Sequence, residues 1–310
     1  MPNFSLRAAG AVAALAVVAL GGCTAPAADA APEPEDPRPL VLTTFTVLAD
    51  MAGVVGGDAV RVESITRPGV EVHGYEPTPE DLRRAQGAAL VLDNGLGLEA
   101  WADDLIERTG APRVVLTEGI EPIAIGSGAS EGEANPHAWM SPRAGQEYVR
   151  AIADALAELV PHEAEGVRAR AADYSAELGA VHDRLVTEVA RLPESARVLV
   201  TCEGAFAYLA RDAGLREAYL WPVNSDGETS ARQVARTIVT VRENDVPAVF
   251  CESTVDDRMQ RQVADESGAV VGGTLYVDSL SEPDGPVPTY LDLLRHDVDT
   301  IVAGLSGASA

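Results

Sequence analysis

Lysine is absent from this chain of 310 residues, and cysteine and histidine are scarce. All 23 basic residues are arginines, and against 48 aspartates and glutamates they leave a formal net charge of −25. This balance disfavours nucleic acid and anionic lipid headgroups as partners. The three cysteines and five histidines lack the close spacing of a zinc finger, and neither an HExxH sequence nor a phosphate-binding glycine loop occurs. A metal site would therefore have to combine residues far apart in the chain.

The N-terminus has the pattern of a lipoprotein signal peptide. Residues 8–20 are 13 consecutive residues without a polar side chain, too few to span a bilayer comfortably, and Gly21-Gly22 precede Cys23. We expect residues 1–22 to be removed and Cys23 to be acylated, which anchors the protein extracytoplasmically on the outer face of the cell membrane. Residues 23–39, rich in alanine and proline, predict a flexible tether. The alternative is an ordinary secretory signal with an incidental cysteine.

Beyond the tether, short β-branched runs alternate with longer amphipathic stretches, which indicates βα units and parallel sheets. The strand candidates are residues 40–44, 60–66, 89–93, 113–117, 197–201, 218–221, 248–251 and 270–276. They predict an α/β fold of two lobes, residues 40–161 and 193–310, each with a parallel four-stranded sheet flanked by helices. Helices should begin at Thr78-Pro79 and Ser141-Pro142, where an N-cap residue precedes a proline.

Residues 162–192 separate the two predicted lobes and contain neither an internal proline nor a strand-like run. Their apolar positions step by three or four and form one continuous face; they are Val167, Ala171, Tyr174, Leu178, Val181, Leu185, Val189 and Leu192. A helix of this length is roughly 45 Å long, so we expect one long rigid linker helix between the lobes. The alternative, a coiled-coil segment, needs a longer sustained heptad pattern.

Four potential metal ligands follow predicted strands: His73, His137, Glu203 and Asp278. Ligands of open α/β sheets gather beyond the carboxyl ends of the strands, so these distant residues could meet at one place between the lobes. Two imidazoles and two carboxylates suit Mn²⁺ or Fe²⁺ and can accept Zn²⁺, while no thiolate favours a softer metal. We therefore expect one divalent transition metal at this site.

The segments HGYEPTPED, NGLGLEAW, NPHAWMSP, CEGAF, ESTVDDR and VDSLS occur in this order. With them the chain resembles, from residue 40 to its end, the solute-binding lipoproteins of bacterial ABC importers for manganese, zinc and iron. The resemblance implies two α/β lobes joined by a long helix, with the metal held between them by His73, His137, Glu203 and Asp278. It also implies a permease and its ATPase as partners, to which a monomeric protein delivers metal.

The resemblance also bears on the metal. Zinc-specific members usually have a third histidine where this chain has Glu203, and many carry a histidine-rich loop before the second ligand. Here that loop reads IGSGASEGEANPH, with no histidine before His137. Both features favour manganese, with iron next, and zinc remains an alternative. A metalloenzyme with Glu203 or Glu252 as general base is a further alternative, although four protein ligands leave no open position for a substrate. An adhesin role is compatible with metal capture.

Several residues near these segments have less defined roles. Three residues are candidates to contact and orient the ligands without binding the metal themselves: Tyr75, Glu76 and Glu252. The other histidines, His162, His182 and His296, are expected to be solvated or packed side chains.

The remaining two cysteines, Cys202 and Cys251, both end strands that could be neighbours. The distance between neighbouring strands permits a disulfide between these cysteines, which would brace the strand carrying Glu203. Two buried free thiols are the alternative. Alternation along the strand turns Cys202 away from the face of Glu203, so we do not expect its thiol to bind the metal.

Overall fold

The eight β-branched runs form parallel strands, as the sequence predicts. The structure, a computed structural model, describes residues 36–223 and 230–307. The strands are β1 (Leu40–Thr43), β2 (Arg61–Ser64), β3 (Ala88–Asp93), β4 (Arg113–Val115), β5 (Val198–Glu203), β6 (Arg216–Trp221), β7 (Ala248–Glu252) and β8 (Val270–Leu275). Each strand begins and ends at most two residues from its predicted bounds.

The predicted signal peptide (residues 1–22), Cys23 and most of the predicted tether (residues 23–39) lie outside the described residues. In the part of the chain that the structure describes, no helix combines the length and apolar character needed to cross a bilayer. The acylation of Cys23 therefore stays a prediction.

The first four strands form one parallel sheet in the order β2-β1-β3-β4. All four residues of β1 are buried because strands pair with it on both sides, whereas those of the edge strand β2 are only half-buried. Parallel pairing brings the carboxyl ends of these strands to one edge of the sheet. The segments that carry His73 and His137 follow β2 and β4 and leave the sheet at this edge.

Helices connect and cover the strands. They are α1 (Thr46–Gly56), α2 (Pro79–Ala85), α3 (Asp103–Thr109), α4 (Pro142–Leu159), α5 (Ala164–Arg191), α6 (Ala207–Ala213), α7 (Ala231–Glu243), α8 (Arg258–Ser267) and α9 (Tyr290–Leu305). Two predicted helix starts are confirmed, because Thr78 and Ser141 are the N-cap residues of α2 and α4 and each accepts a backbone N–H with its hydroxyl. Proline occupies the first helical position in both.

The long helix predicted for residues 162–192 is α5, whose 28 residues are about 42 Å long. The eight predicted apolar positions are all buried. This face packs against α1 and α4 from the first half of the chain and against α9 from the second. His162 precedes α5, in the short 3₁₀ turn Pro161–Glu163, because Pro161 starts this tighter turn. The role of α5 as a rigid linker between lobes remains a prediction.

The described part of the second half differs from the predicted four-stranded sheet, because it contains two separate parallel pairs, β5-β6 and β7-β8. Strands β5 and β7 lie beside each other, but a side chain, rather than the backbone of the neighbouring strand, bonds some of their carbonyl groups. The Gln260 amide from α8 donates to the carbonyl oxygens of Val200 (3.1 Å) and Phe250 (2.6 Å). These carbonyls are thereby satisfied by a side chain, which periodicity in the sequence does not reveal.

One large apolar core cluster includes side chains from both halves of the chain. It runs from the face of α1 through the buried side of α5 to α9, and the described residues from Arg38 onward form one compact unit. A second, smaller cluster lies on the other face of the first sheet, around Leu42, Ile65 and Val91. The first-half ligand segments and the second-half strands are therefore supported by the same packed interior.

Candidate metal centre

The four predicted ligands come from four segments. Glu203 is the last residue of β5, and Asp278 lies three residues beyond β8. His73 lies in the turn between β2 and α2, and His137 immediately precedes the 3₁₀ turn Ala138–Met140 that leads into α4. Each segment extends past the carboxyl end of a strand, where parallel α/β folds bind their ligands.

One potential ligand atom from each of these residues lies within 4.8 Å of all the others. The Nε2 atoms of His73 and His137 are 3.0 Å apart, and Oε1 of Glu203 is 3.4 Å and 3.5 Å from them. Oδ1 of Asp278 is 3.8 Å from Nε2 of His73. Four donors arranged tetrahedrally about 2.1 Å from a metal are roughly 3.4 Å apart. The observed separations therefore suit donors that share one small cation.

Burial and charge favour a dication at this place. The side chains of His137, Glu203 and Asp278 are 0% exposed, and that of His73 is 5% exposed. Two buried carboxylates need a compensating positive charge, which a divalent metal would supply. Burial, and then the neighbouring His73, hold the pKa of His137 well below its usual range. His137 is therefore a neutral imidazole at neutral pH, the form that binds metals.

The hydrogen bonds of Asn135 fix the tautomer of His137. Oδ1 of Asn135 accepts the backbone N–H of His137 at 3.0 Å, and its Nδ2 donates to the carbonyl oxygen of Gly204 at 2.6 Å. The backbone N–H of His137 can only donate and the carbonyl oxygen of Gly204 can only accept, so the orientation of the Asn135 amide is determined. Nδ1 of His137, which is 2.9 Å from the same Oδ1, must therefore carry the proton. The lone pair of Nε2 then points toward the other three ligands.

Asn135 also joins the His137 segment to the second half of the chain. Its side-chain amide donates to the carbonyl oxygen of Gly204, which directly follows Glu203, and its backbone carbonyl oxygen accepts the hydroxyl of Tyr208 at 2.7 Å. A side chain at Gly204 would meet the Tyr219 ring at 2.9 Å and the carbonyl oxygen of Pro222 at 3.0 Å, so only glycine permits this close approach. The positions of His137 and Glu203 are thus coupled through one side chain.

Replacing Asn135 with alanine should weaken metal binding by about 10- to 100-fold, the usual effect of losing a group that orients a ligating histidine. The variant loses the acceptor for Nδ1 of His137 and the bond to Gly204. Competitive titration against a chelating dye would measure the change. Asn244→Ala, which removes an amide bonded to Thr240 within α7, is the control. An Asn135→Ala protein that binds metal as tightly as the unaltered chain would contradict the orienting role.

The three residues predicted to support the ligands are placed differently from one another. Oε2 of the buried Glu252 accepts the backbone N–H of Glu203 at 3.2 Å. Burial raises the pKa of Glu252 to about 8, so its carboxyl group is mostly protonated at neutral pH and adds little negative charge beside Glu203. Tyr75 instead donates its hydroxyl to Asp81 at 2.8 Å, and Glu76 is exposed. Tyr75 therefore braces the start of α2.

Further hydrogen bonds join the two halves near Asp278. The backbone N–H of Gly69 donates to Oγ of Ser279 at 2.7 Å, and that of Leu280 donates to Oγ1 of Thr46 at 2.9 Å. The indole N–H of Trp139 donates to the carbonyl oxygen of Val277 at 3.0 Å. The segment that carries Asp278 is therefore bonded on both sides to the first half of the chain.

Cys202 and Cys251 form a disulfide with a Cα–Cα distance of 4.9 Å, which links β5 to β7 beside Glu203 and Glu252. A disulfide sulfur is not a thiolate, so the proximity of these cysteines to Glu252 does not create a second metal site. The other histidines lie outside the four-ligand cluster. His296, for example, has its Nε2 3.0 Å from the carbonyl oxygen of Thr274 and its ring against Tyr276.

Sequence reasoning did not identify Asn135 or Gln260, although both are buried and bonded to segments of the site. Asn135 stands two residues before His137 in NPH, a position from which a side chain can reach the histidine backbone and ring. Gln260 has no signal in the sequence, because one glutamine in an amphipathic helix is ordinarily solvated.

Comparison with known proteins gives consistent matches over most of the chain. A family model described as zinc-uptake complex component A, periplasmic, matches residues 41–304. The iron-binding protein YfeA of Yersinia pestis is 45% identical over 302 residues, which cover 96% of each chain. The manganese-binding lipoprotein MntA of Halalkalibacterium halodurans is 34% identical over 267 residues, covering 86% of this chain and 88% of that protein.

A solved structure is similar over the same region. The Mn-bound periplasmic metal binding protein of Candidatus Liberibacter asiaticus superposes with a TM-score of 0.81 at 37% identity. The match covers 86% of this chain and 100% of that one. The parallel sheets, the flanking helices and the long helix α5 therefore occur together in a solved relative.

Proposed function

Because the chain belongs to the family of zinc-uptake complex component A periplasmic proteins, we propose that it captures a divalent transition metal with His73, His137, Glu203 and Asp278. It then delivers the ion to the permease of an ABC importer. The convergence of two imidazoles and two carboxylates within 4.8 Å carries this proposal. Members of the family are substrate-binding transport proteins, so the metalloenzyme alternative is set aside.

Manganese is the favoured cargo, followed by iron. The two carboxylates supply hard oxygen donors, and Glu203 occupies the position at which a third imidazole would favour zinc. Relatives do not decide between metals, because one is named as iron-binding and another as manganese-binding. Zn²⁺ binds most N/O sites more tightly than Mn²⁺, so preference for manganese requires a coordination number that bidentate carboxylates can provide.

The protein works outside the cytoplasm in this proposal, held at the membrane by a lipid on Cys23 and a tether that ends near residue 39. A relative named as a manganese-binding lipoprotein supports this location. The partners are the permease and its ATPase, and the protein acts as a monomer. Release requires the two halves to shift, since two ligands come from each half. Docking on the permease would provide that shift.

Competitive titration of the metal-free mature chain with Mn²⁺, Fe²⁺ and Zn²⁺ tests the proposal. We expect one equivalent of metal per chain. Glu203→His should favour Zn²⁺ over Mn²⁺ relative to the unaltered chain, because an imidazole replaces an oxygen donor. His162→Ala, which removes a histidine outside the cluster, should leave both affinities unchanged.

Two results would contradict the proposal in different ways. Unchanged stoichiometry and affinity after loss of Glu203 and His137 would place the metal elsewhere. Weak Mn²⁺ binding beside strong Zn²⁺ binding, with no change of preference in Glu203→His, would favour zinc as the cargo.

A further inference from the structure

The turn that carries His73 is built around the side chain of Glu71. Oε1 of Glu71 accepts the backbone N–H of His73 at 2.8 Å, and Oε2 accepts that of Gly74 at 3.0 Å. Both carboxylate oxygens are therefore used on consecutive amides. Hydrogen bonds to a charged acceptor are stronger than neutral ones. One side chain thus fixes the direction in which the His73 side chain leaves the backbone.

Neighbouring contacts hold the rest of this turn. The indole N–H of Trp101 donates to the carbonyl oxygen of Val72 at 2.8 Å. The ring of Tyr75 packs edge-on against Trp101 with ring centroids 5.0 Å apart. These contacts anchor the turn to the first half of the chain on either side of His73. The peptide of His73 itself is oriented by Glu71.

His73 differs from the other three ligands in its surroundings. The side chains of His137, Glu203 and Asp278 are 0% exposed, and that of His73 retains 5% exposure. His137 is additionally fixed through Asn135, which bonds both its ring and Gly204 in the other half. A metal ion that enters or leaves must pass the side of the site that borders solvent, where His73 lies.

We infer that Glu71 is a positioning residue for His73, and that its two hydrogen bonds to the turn set the rate at which a bound metal dissociates from the protein when it is not docked on a permease. This inference rests on the proposed function. With both amides bonded, Nε2 of His73 faces the ligands of the other segments. Without these two hydrogen bonds, the turn can rotate the imidazole of His73 away from the site. The most exposed of the four ligands then leaves the metal first.

Three substitutions separate this role from a general charge effect. Glu71→Ala removes both hydrogen bonds, and Glu71→Gln keeps one carbonyl acceptor while its NH₂ group faces the other amide. Glu76→Gln makes the same charge change at an exposed site in the same turn. Zn²⁺ release into excess chelator, followed by stopped flow, should accelerate about tenfold in Glu71→Ala, less in Glu71→Gln, and not in Glu76→Gln.

A double-mutant cycle distinguishes positioning of His73 from general loss of structure. In the His73→Ala background, adding Glu71→Ala should change Zn²⁺ release by less than about twofold, because the residue through which it acts is gone. An equal acceleration in both backgrounds would overturn the inference. So would a Glu71→Ala protein that releases Zn²⁺ as slowly as the unaltered chain.

A measurement on the metal-free protein keeps this inference separate from the proposed function. Amide hydrogen exchange at His73 and Gly74 should be faster in Glu71→Ala than in Glu76→Gln, while exchange in α5 stays the same. Failure of the unaltered chain to bind any metal would refute the proposed function. Unchanged exchange at His73 and Gly74 would refute the role of Glu71, whatever the chain binds.

Discussion

Glu203→Ala should abolish tight metal binding while the protein stays folded. Sites with four protein ligands bind zinc with about 10–16 kcal/mol, so an equal share per ligand is about 3 kcal/mol. That share corresponds to roughly a hundredfold in affinity. The loss should be at least this large, because Glu203 is fully buried and lies 3.4–3.5 Å from both histidines. Water that fills the gap would be a neutral ligand and would leave the dication only one carboxylate.

The same substitution, Glu203→Ala, should not destabilise the metal-free protein. The carboxylate of Glu203 is buried near that of Asp278, so its removal relieves desolvation and repulsion between like charges. Thermal unfolding without metal should therefore show no loss of stability. Added Mn²⁺ should raise the melting temperature of the unaltered chain but not that of Glu203→Ala.

A half-buried glutamate outside the site provides the control. Oε1 of Glu217, on β6, accepts the backbone N–H of Phe206 at 2.7 Å, and Glu217 does not belong to the four-ligand cluster. Glu217→Ala should lose stability and retain stoichiometric metal binding. If Glu203→Ala kept its metal, or if both variants lost it alike, Glu203 would not be a ligand.

Opening the Cys202–Cys251 disulfide should lower the free energy of unfolding by about 4 kcal/mol, from the loop-closure entropy of the chain that it closes. The bridge connects residues 49 apart in sequence and joins β5 to β7, which the structure assigns to separate strand pairs. The side chains of Gln260 and Glu252 also connect these two strands.

Urea denaturation of the metal-free protein, with and without a thiol reductant, would measure this difference. Mass spectrometry after alkylation must show that Cys202 and Cys251 are blocked in the native protein and both modified after reduction. The Cys202→Ala/Cys251→Ala variant should match the reduced protein apart from the cost of the two small cavities. An unchanged urea midpoint after complete reduction would show that the bridge adds no stability. Alkylation of both cysteines in the native protein would show that it does not form.

The elements that the sequence predicted well are those with local signals. The eight strands follow from β-branched runs, the starts of α2 and α4 from a hydroxyl residue before proline, and α5 from its regular apolar spacing. The convergence of His73 and His137 with Glu203 and Asp278 followed from their positions beyond strands, supported by a family resemblance. Their binding of metal stays a prediction.

The features that the sequence did not predict depend on contacts between distant segments. The second sheet divides into two pairs because Gln260 bonds carbonyls of both β5 and β7, a contact that no periodicity encodes. Glu71 was overlooked because a glutamate in a turn is ordinarily solvated, and only the backbone conformation shows that its two oxygens meet consecutive amides. Asn135 was likewise overlooked, because its side chain bonds Gly204, which lies 69 residues away in the sequence.

Trp139 gives the protein a built-in optical reporter. Its ring centroid lies 5.1 Å from that of His137, and its indole N–H bonds the carbonyl oxygen of the residue before Asp278. A dication bound beside His137 would change the electric field across this buried indole, and a separation of the two halves would break its hydrogen bond. The proposed arrival of the ion and the proposed opening of the site would both act on this one indole, so we expect intrinsic fluorescence to follow both events in an unlabelled chain.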